Sequence, residues 1–178
     1  ELMLNAEYYR TQFLEQMIMD TDNSPRSLFA HFSDDKSYAN NIQIEGKYSP
    51  FRGMEVTVAY RWNEAKQTLG GQFRQRPLVS EYKGLVTLSY ATPLKKWQFD
   101  MNTQLNGGGR IPTTAGNPEP YKRAERFDPY QVFNGQITKY FRTWSIYAGV
   151  ENIGNFTQKN PIIAGDKPYG EYFDASMI

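Results

Sequence analysis

The stretch EYKGLVTLSYATPLKKWQFDMNTQLN, residues 81–106, decides the fold. Read on alternate residues, Tyr82, Gly84, Val86, Leu88 and Tyr90 share one face, and Lys83, Leu85, Thr87, Ser89 and Ala91 share the other. After residues 92–96 the alternation resumes, with Trp97, Phe99, Met101, Thr103 and Leu105 opposite Gln98, Asp100, Asn102, Gln104 and Asn106. A period of two is the signature of extended chain, and two such runs around a short break containing Pro93 predict a β-hairpin. One face is apolar with aromatics towards both ends; the other is amide, hydroxyl and charge. In a soluble sandwich the apolar face meets a second sheet. In a membrane barrel it meets lipid, and the polar face lines a wet or plugged lumen.

Composition narrows the choice. The 178 residues suffice for one domain or a piece of a larger one. Apolar residues make up 39%, low for a globular domain, yet aromatics reach 15%, so rings carry much of the apolar content. A mean hydropathy of −0.68 and the lack of a long apolar run exclude a helical membrane protein. Residues 1–9 read as a strand and not as a secretory leader. A net charge of +1 gives no electrostatic case for a nucleic-acid partner. The absence of cysteine removes disulfides, thiolate metal sites and Cys nucleophiles, and fits an oxidising compartment.

Outward from the hairpin the same alternation recurs. Residues 2–9 alternate Leu2, Leu4, Ala6 and Tyr8 with Met3, Asn5, Glu7 and Tyr9, and the strand is expected to run on through Phe13 towards Met19. A polar connection, 20–36, leads to a strand at 38–48, with Ile42, Ile44, Gly46 and Tyr48 on the apolar face and Asn41, Gln43, Glu45 and Lys47 on the polar one. A tight turn at 49–53 precedes Met54, Val56, Val58, Tyr60 and Trp62, opposite Glu55, Thr57, Ala59, Arg61 and Asn63. Residues 64–80 and 107–129 read as two further long connections. The strand at 130–141 turns Phe133, Gly135 and Ile137 outward against Asn134, Gln136 and Thr138. A turn at Arg142 and Thr143 leads to Trp144, Ile146, Ala148 and Val150, against Ser145, Tyr147, Gly149 and Glu151. Residues 152–178 show no clear strand.

The connections alternate between short and long, so in an antiparallel meander every short turn lies at one end and every long loop at the other. That asymmetry predicts an outer-membrane barrel with short periplasmic turns and long extracellular loops. Aromatics flank both ends: Tyr48, Tyr90, Trp97, Tyr140, Phe141 and Trp144 near the short turns, and Tyr60, Trp62, Tyr82, Phe127 and Tyr130 near the long loops. Two such belts with aliphatics between suit the two membrane interfaces. About seven strands cannot close a bacterial barrel, which takes an even number from about eight upward. The expectation is therefore a fragment of a larger all-β, antiparallel, up-and-down transmembrane barrel, with strands missing at both ends.

Catalytic and metal chemistry finds little support. His31, with Asp34 and Asp35 nearby, is one histidine without a cysteine, a weak metal set. Asp20, Asp22 and Asn23 lack the glycine and closing glutamate of a calcium loop, since Pro25 stands where the turn needs glycine. Residues 107–110, Gly-Gly-Gly-Arg, lack the Lys-Ser/Thr ending and the helix of a phosphate loop. The inward carboxylates Glu7, Glu45, Glu55, Asp100 and Glu151 sit among amides and hydroxyls, as in a hydrogen-bonded wall. No catalytic residue, cofactor or metal is expected. The lumen-facing set is Glu45, Arg61, Gln98, Asp100, Asn102, Gln104, Asn134, Gln136 and Glu151. Arg74, Arg76, Arg110, Tyr121, Lys122, Arg123 and Arg126 gather on the long-loop rim. They are candidates for capture of an anionic or polyhydroxylated ligand, or else for contact with lipopolysaccharide phosphates or neighbouring loops.

Several segments together resemble a known family. Residues 79–109 and 133–152, and above all Gly149-Val150-Glu151-Asn152-Ile153 followed by Asn155-Phe156-Thr157, Asn160-Pro161-Ile162-Ile163 and Phe173-Asp174-Ala175, resemble the C-terminal barrel region of TonB-dependent outer-membrane receptors of the Bacteroidetes type. The resemblance implies a plugged barrel of about twenty-two strands. The plug, the TonB box and the final strand are not among these residues. It also implies a place in the bacterial outer membrane and active import of a scarce nutrient such as a metal chelate, cobalamin, oligosaccharide or peptide. The implied partners are the TonB complex, reached through the plug, outer-membrane lipid and lipopolysaccharide, and in some members a surface lipoprotein lid. A passive porin or adhesin barrel, or an enzyme on a barrel scaffold, would share the wall but not the plug and TonB box.

Overall fold

A computed structural model describes residues 1–22, 30–33 and 35–158, with residues 30–33 as backbone only. The motifs at 160–163 and 173–175, the side chain of His31 and residues Asn23, Pro25 and Asp34 lie outside the described residues. The chain forms β1 (Leu2–Phe13), β2 (Gln16–Met19), β3 (Ala30–Ser33), β4 (Ser37–Tyr48), β5 (Met54–Leu69), β6 (Gln72–Gln75), β7 (Tyr82–Ala91), β8 (Trp97–Asn106), β9 (Gly109–Arg110), β10 (Arg126–Phe127), β11 (Tyr130–Tyr140) and β12 (Ser145–Val150). Seven of these pair in chain order, β1-β4-β5-β7-β8-β11-β12, every neighbour antiparallel. β6 extends the sheet beside the far end of β5, while β2 with β3 and β9 with β10 make two small separate hairpins. β1 and β12 are edges, and the sheet does not close among the described residues.

The seven expected strands are present, and the up-and-down order puts the turns at 49–53, 92–96 and 141–144 at one end of the sheet. The connections are more structured than their polar composition suggests. β1 breaks at Leu14 and Glu15 instead of running on to Met19. The expected loop 64–80 begins as strand: β5 continues to Leu69 and folds back into β6 through Gly70 and Gly71, both with positive φ (58° and 74°). Two consecutive residues of that kind make the tight hairpin turn whose twist matches the strands. The loop 107–129 likewise contains the β9–β10 ladder and a 3-10 turn at Glu119–Tyr121.

Register fixes the faces, because residues directly opposite in an antiparallel pair point the same way. Val86 lies opposite both Val58 and Thr103, Leu88 opposite Val56 and Met101, and Ile137 opposite Phe99 and Ala148. One apolar face thus runs unbroken from Leu4 of β1 to Val150 of β12. The other face pairs Thr87 with Thr57 and Asn102, Ser89 with Asp100, and Asn134 with Asn102. Tyr130 and Tyr140 are corrections to the expected aromatic belts: opposite Asn106 and Ser145, they belong to the polar face. Phe127 is in β10, off the main sheet.

No layer covers the apolar face among the described residues. Val58, Met101 and Ile137 keep 46%, 44% and 47% of their surface exposed in mid-strand. Among the described residues the buried hydrophobic side chains are Ile18, Leu69 and Ile111, all in the segments at the long-loop end. Burying one Val, Leu, Ile, Phe or Met side chain is worth about 1.5–3 kcal/mol, so a face of this size requires an apolar partner.

Candidate functional site

The polar face is a hydrogen-bonded wall. Ser89 Oγ donates to Asp100 Oδ1 at 2.6 Å, and Gln98 Nε2 donates to the same carboxylate at 2.9 Å. Tyr140 donates its hydroxyl to Gln98 Oε1 at 3.1 Å, so β7, β8 and β11 are tied by one chain of side chains. Asn134 Nδ2 donates to Asn102 Oδ1 at 2.9 Å, and the Asn134 oxygen accepts the backbone N–H of Asn152. Lys47 pairs with Glu55 at 2.9 Å. Glu45, Arg61, Gln104 and Gln136 fall on this face by register, whereas Glu151 lies one residue past β12, at the bend where the ladder ends. Cavities open on this side. One of about 890 Å³ lies at the short-turn end beside Glu55, Ser89, Gln98 and Tyr140. Another, about 290 Å³, lies towards the long-loop end of the wall among Gln43, Arg61, Lys83 and Gln104.

The apolar face ends in rings at both rims. Near the short turns Phe51, Tyr90, Phe99 and Trp97 make successive ring contacts at 6.0, 6.4 and 6.5 Å, and Phe141 stacks on Trp144 at 4.0 Å. Lys139, at this rim, places its ammonium 4.3 Å over Trp97 and 5.7 Å from Phe141. At the other rim Tyr60 stacks on Tyr82 at 6.0 Å and Tyr38 meets Phe73 at 5.6 Å. Arg10 lies 4.9 Å over Tyr38, and Lys36 lies 5.2 Å from Phe73. Among the described residues, charge on this face is thus confined to its two aromatic margins, where long cationic side chains can lay their stems on rings.

Within the second margin, between the levels of Trp62 and Tyr38, Glu64 accepts from Asn40 Nδ2 at 3.0 Å and pairs with Lys66 at 2.7 Å. The hydrogen bond from Lys66 holds the Glu64 carboxyl below the usual range, against the opposing effect of burial, and raises Lys66 in turn. Because Glu64 is more acidic folded than unfolded, its pairing stabilises the fold above the ordinary glutamate range and is lost as pH falls through the folded value. The Lys66 contribution is present below the ordinary lysine range and is lost as pH rises through its raised value.

The long-loop rim holds the candidate ligand residues, and the fold brings some of them together. Arg74 from β6 and Arg110 from β9 both pair with the carboxylate of Asp22, which follows β2; the Arg74 contact is 3.1 Å, and Arg110 approaches the same Oδ2 atom. The backbone N–H of Thr113 donates to Asp22 Oδ1 at 2.8 Å. One carboxylate, its side chain 8% exposed, therefore joins all three long connections. Arg126 pairs with Glu81 at 2.6 Å, and Gln75 Nε2 donates to the same Glu81 oxygen. Lys122 pairs with Glu119. Arg123 is held through its backbone, donating its N–H to Thr114 Oγ1 at 2.9 Å, and Tyr121 accepts at its carbonyl from Asn117 Nδ2 at 3.1 Å. Arg76 is exposed on the same rim, its backbone N–H donating to Ala65. Sequence reading found the arginines but not Asp22, Glu81 or Thr113. The signal was present only as an acidic pair, Asp20 and Asp22, tested against the wrong motif. No family model, no curated protein and no solved structure matches the chain.

Proposed function

We propose that this sheet is part of the wall of a TonB-dependent outer-membrane transporter that imports a scarce nutrient across the bacterial outer membrane. The observation that carries the reading is the exposed apolar face, uncharged between two ring-lined margins and backed by a face of polar side chains, several of them hydrogen-bonded across strands. From Tyr82 to Tyr90, eight residue steps of about 3.4 Å give a run of about 27 Å. Tilted by about 40°, that run spans about 20 Å of the roughly 25 Å apolar band of a barrel. Lipid satisfies such a face; water does not. A bilayer also demands that backbone groups pair, so further strands must complete β1 and β12 into a closed barrel.

In this reading the polar wall, with Gln98, Asp100, Asn102 and Asn134, faces a lumen occupied by a plug. Arg74, Arg76, Arg110, Lys122 and Arg126 stand with the long loops at the extracellular mouth, where a solute is first held. TonB acts on the plug, and a surface lipoprotein lid, where one is present, sits over the loops. No bond in the solute changes, so the wall contributes shape and hydrogen bonds and not acid–base chemistry. The upstream coding sequence tests this. A plug domain and a TonB box encoded before Glu1 are the expected result. A signal peptide ending close to Glu1 would instead indicate a small barrel without energy coupling.

A further inference from the structure

Two guanidiniums and a backbone N–H converge on Asp22, and that donor set is by its chemistry an anion site. Among the described residues, Arg74 and Arg110 bring two positive charges to the one carboxylate they both contact. The Arg74 Nε is buried without a hydrogen-bond partner, so the site holds a donor that Asp22 does not use. The donors and the acceptor are anchored differently. Arg74 lies on β6, in ladder with β5, and Arg110 lies on β9, whose neighbours continue the β7–β8 hairpin through Glu81 N–H to Gly108 and Leu78 N–H to Arg110. Asp22 follows β2, whose only ladder among the described residues is with β3, outside the main sheet. The guanidiniums are fixed to the main sheet, and the carboxylate stands next to a separate ladder. The Arg74 side chain is 34% exposed, which gives an approach from solvent.

We infer that Arg74, Arg110 and the Thr113 N–H form a binding site for the carboxylate or phosphate of a small anionic solute, with Asp22 as its built-in competitor. An arriving anion takes over the guanidiniums from Asp22 and adds a bond to the idle Arg74 Nε. This rests on the import reading only for the origin of the solute, since the site and its competitor are defined by contacts alone.

Inorganic phosphate and citrate, titrated into the full-length protein in detergent micelles, test it. Calorimetry is run on the wild type, Asp22→Ala and Asp22→Ala with Arg110→Gln. If Asp22 holds the site about nine-tenths of the time, its removal raises anion affinity about tenfold, the factor by which the unoccupied fraction grows. Arg110→Gln should then abolish the gain. Asp22→Asn, which keeps the size and loses the charge, gives the same direction if the alanine variant folds poorly. Equal affinity in wild type and both Asp22 variants, or a gain that survives Arg110→Gln, would overturn the inference. The import reading would stand in either case, because it is decided by the sequence upstream of Glu1.

Discussion

Val86→Arg should destabilise the protein folded in a bilayer by about 2–4 kcal/mol, the range for a cation on the lipid side at mid-membrane depth. Val86 lies four residues from Tyr82 and four from Tyr90, midway between the two ring-lined margins, and opposite Val58 and Thr103. Thr87, one residue along the same strand, lies opposite Thr57 and Asn102 on the polar face. Arginine there meets amides and hydroxyls, so Thr87→Arg should cost far less. Equilibrium refolding of the full-length protein into lipid vesicles against denaturant gives both values. Equal penalties would count against lipid on the Val86 side.

The second large effect concerns the short-turn rim. Gly53 has φ 90°, and a side chain there would place its Cβ 2.3 Å from the carbonyl oxygen of Ala91. The same contact carries a backbone hydrogen bond, Ala91 N–H to Gly53 oxygen at 2.8 Å, which locks the turn at 49–53 to the end of β7. Gly53→Val must move that backbone, since no flexible side chain stands between. Strain of about 1–3 kcal/mol from the forbidden conformation adds to about 0.5–1.5 kcal/mol for the lost hydrogen bond. Gly116→Val is the control, because a Cβ at Gly116 meets nothing within 4 Å. It should change stability by no more than about 0.5 kcal/mol. The same refolding measurement compares them, and indistinguishable midpoints would show that the rim does not depend on the Gly53 turn.

The sheet was legible because its information is local and periodic. Alternation along residues 82–91 and 97–106 assigns faces without knowing the partners, and the short turns then dictate antiparallel order. The aromatic belts were legible only in outline, since nearness to a turn says nothing about face. Register moved Tyr130 and Tyr140 to the polar side, where the Tyr140 hydroxyl completes the Gln98–Asp100 chain. The rim was least legible. Residues Asp22, Arg74 and Arg110 are separated by 52 and 36 positions and carry no shared motif. Only the folding back of β5 through Gly70 and Gly71 brings Arg74 to Asp22. Polar composition in 64–80 resembled a loop because a strand projecting past the apolar face loses the alternation that identifies it.

Residues 1–178 contain no cysteine, so once any cysteine encoded outside them is replaced, each single Cys variant from residue 82 to 91 can carry one nitroxide spin label in the full-length protein reconstituted in lipid. Collision with dissolved oxygen reports lipid, and collision with a water-soluble nickel chelate reports water. Oxygen maxima at 84, 86 and 88 with nickel maxima at 85, 87 and 89 are the predicted result for a wall between bilayer and lumen. Nickel access on both faces, or labels at 84, 86 and 88 shielded from both reagents by a second protein layer, would contradict it.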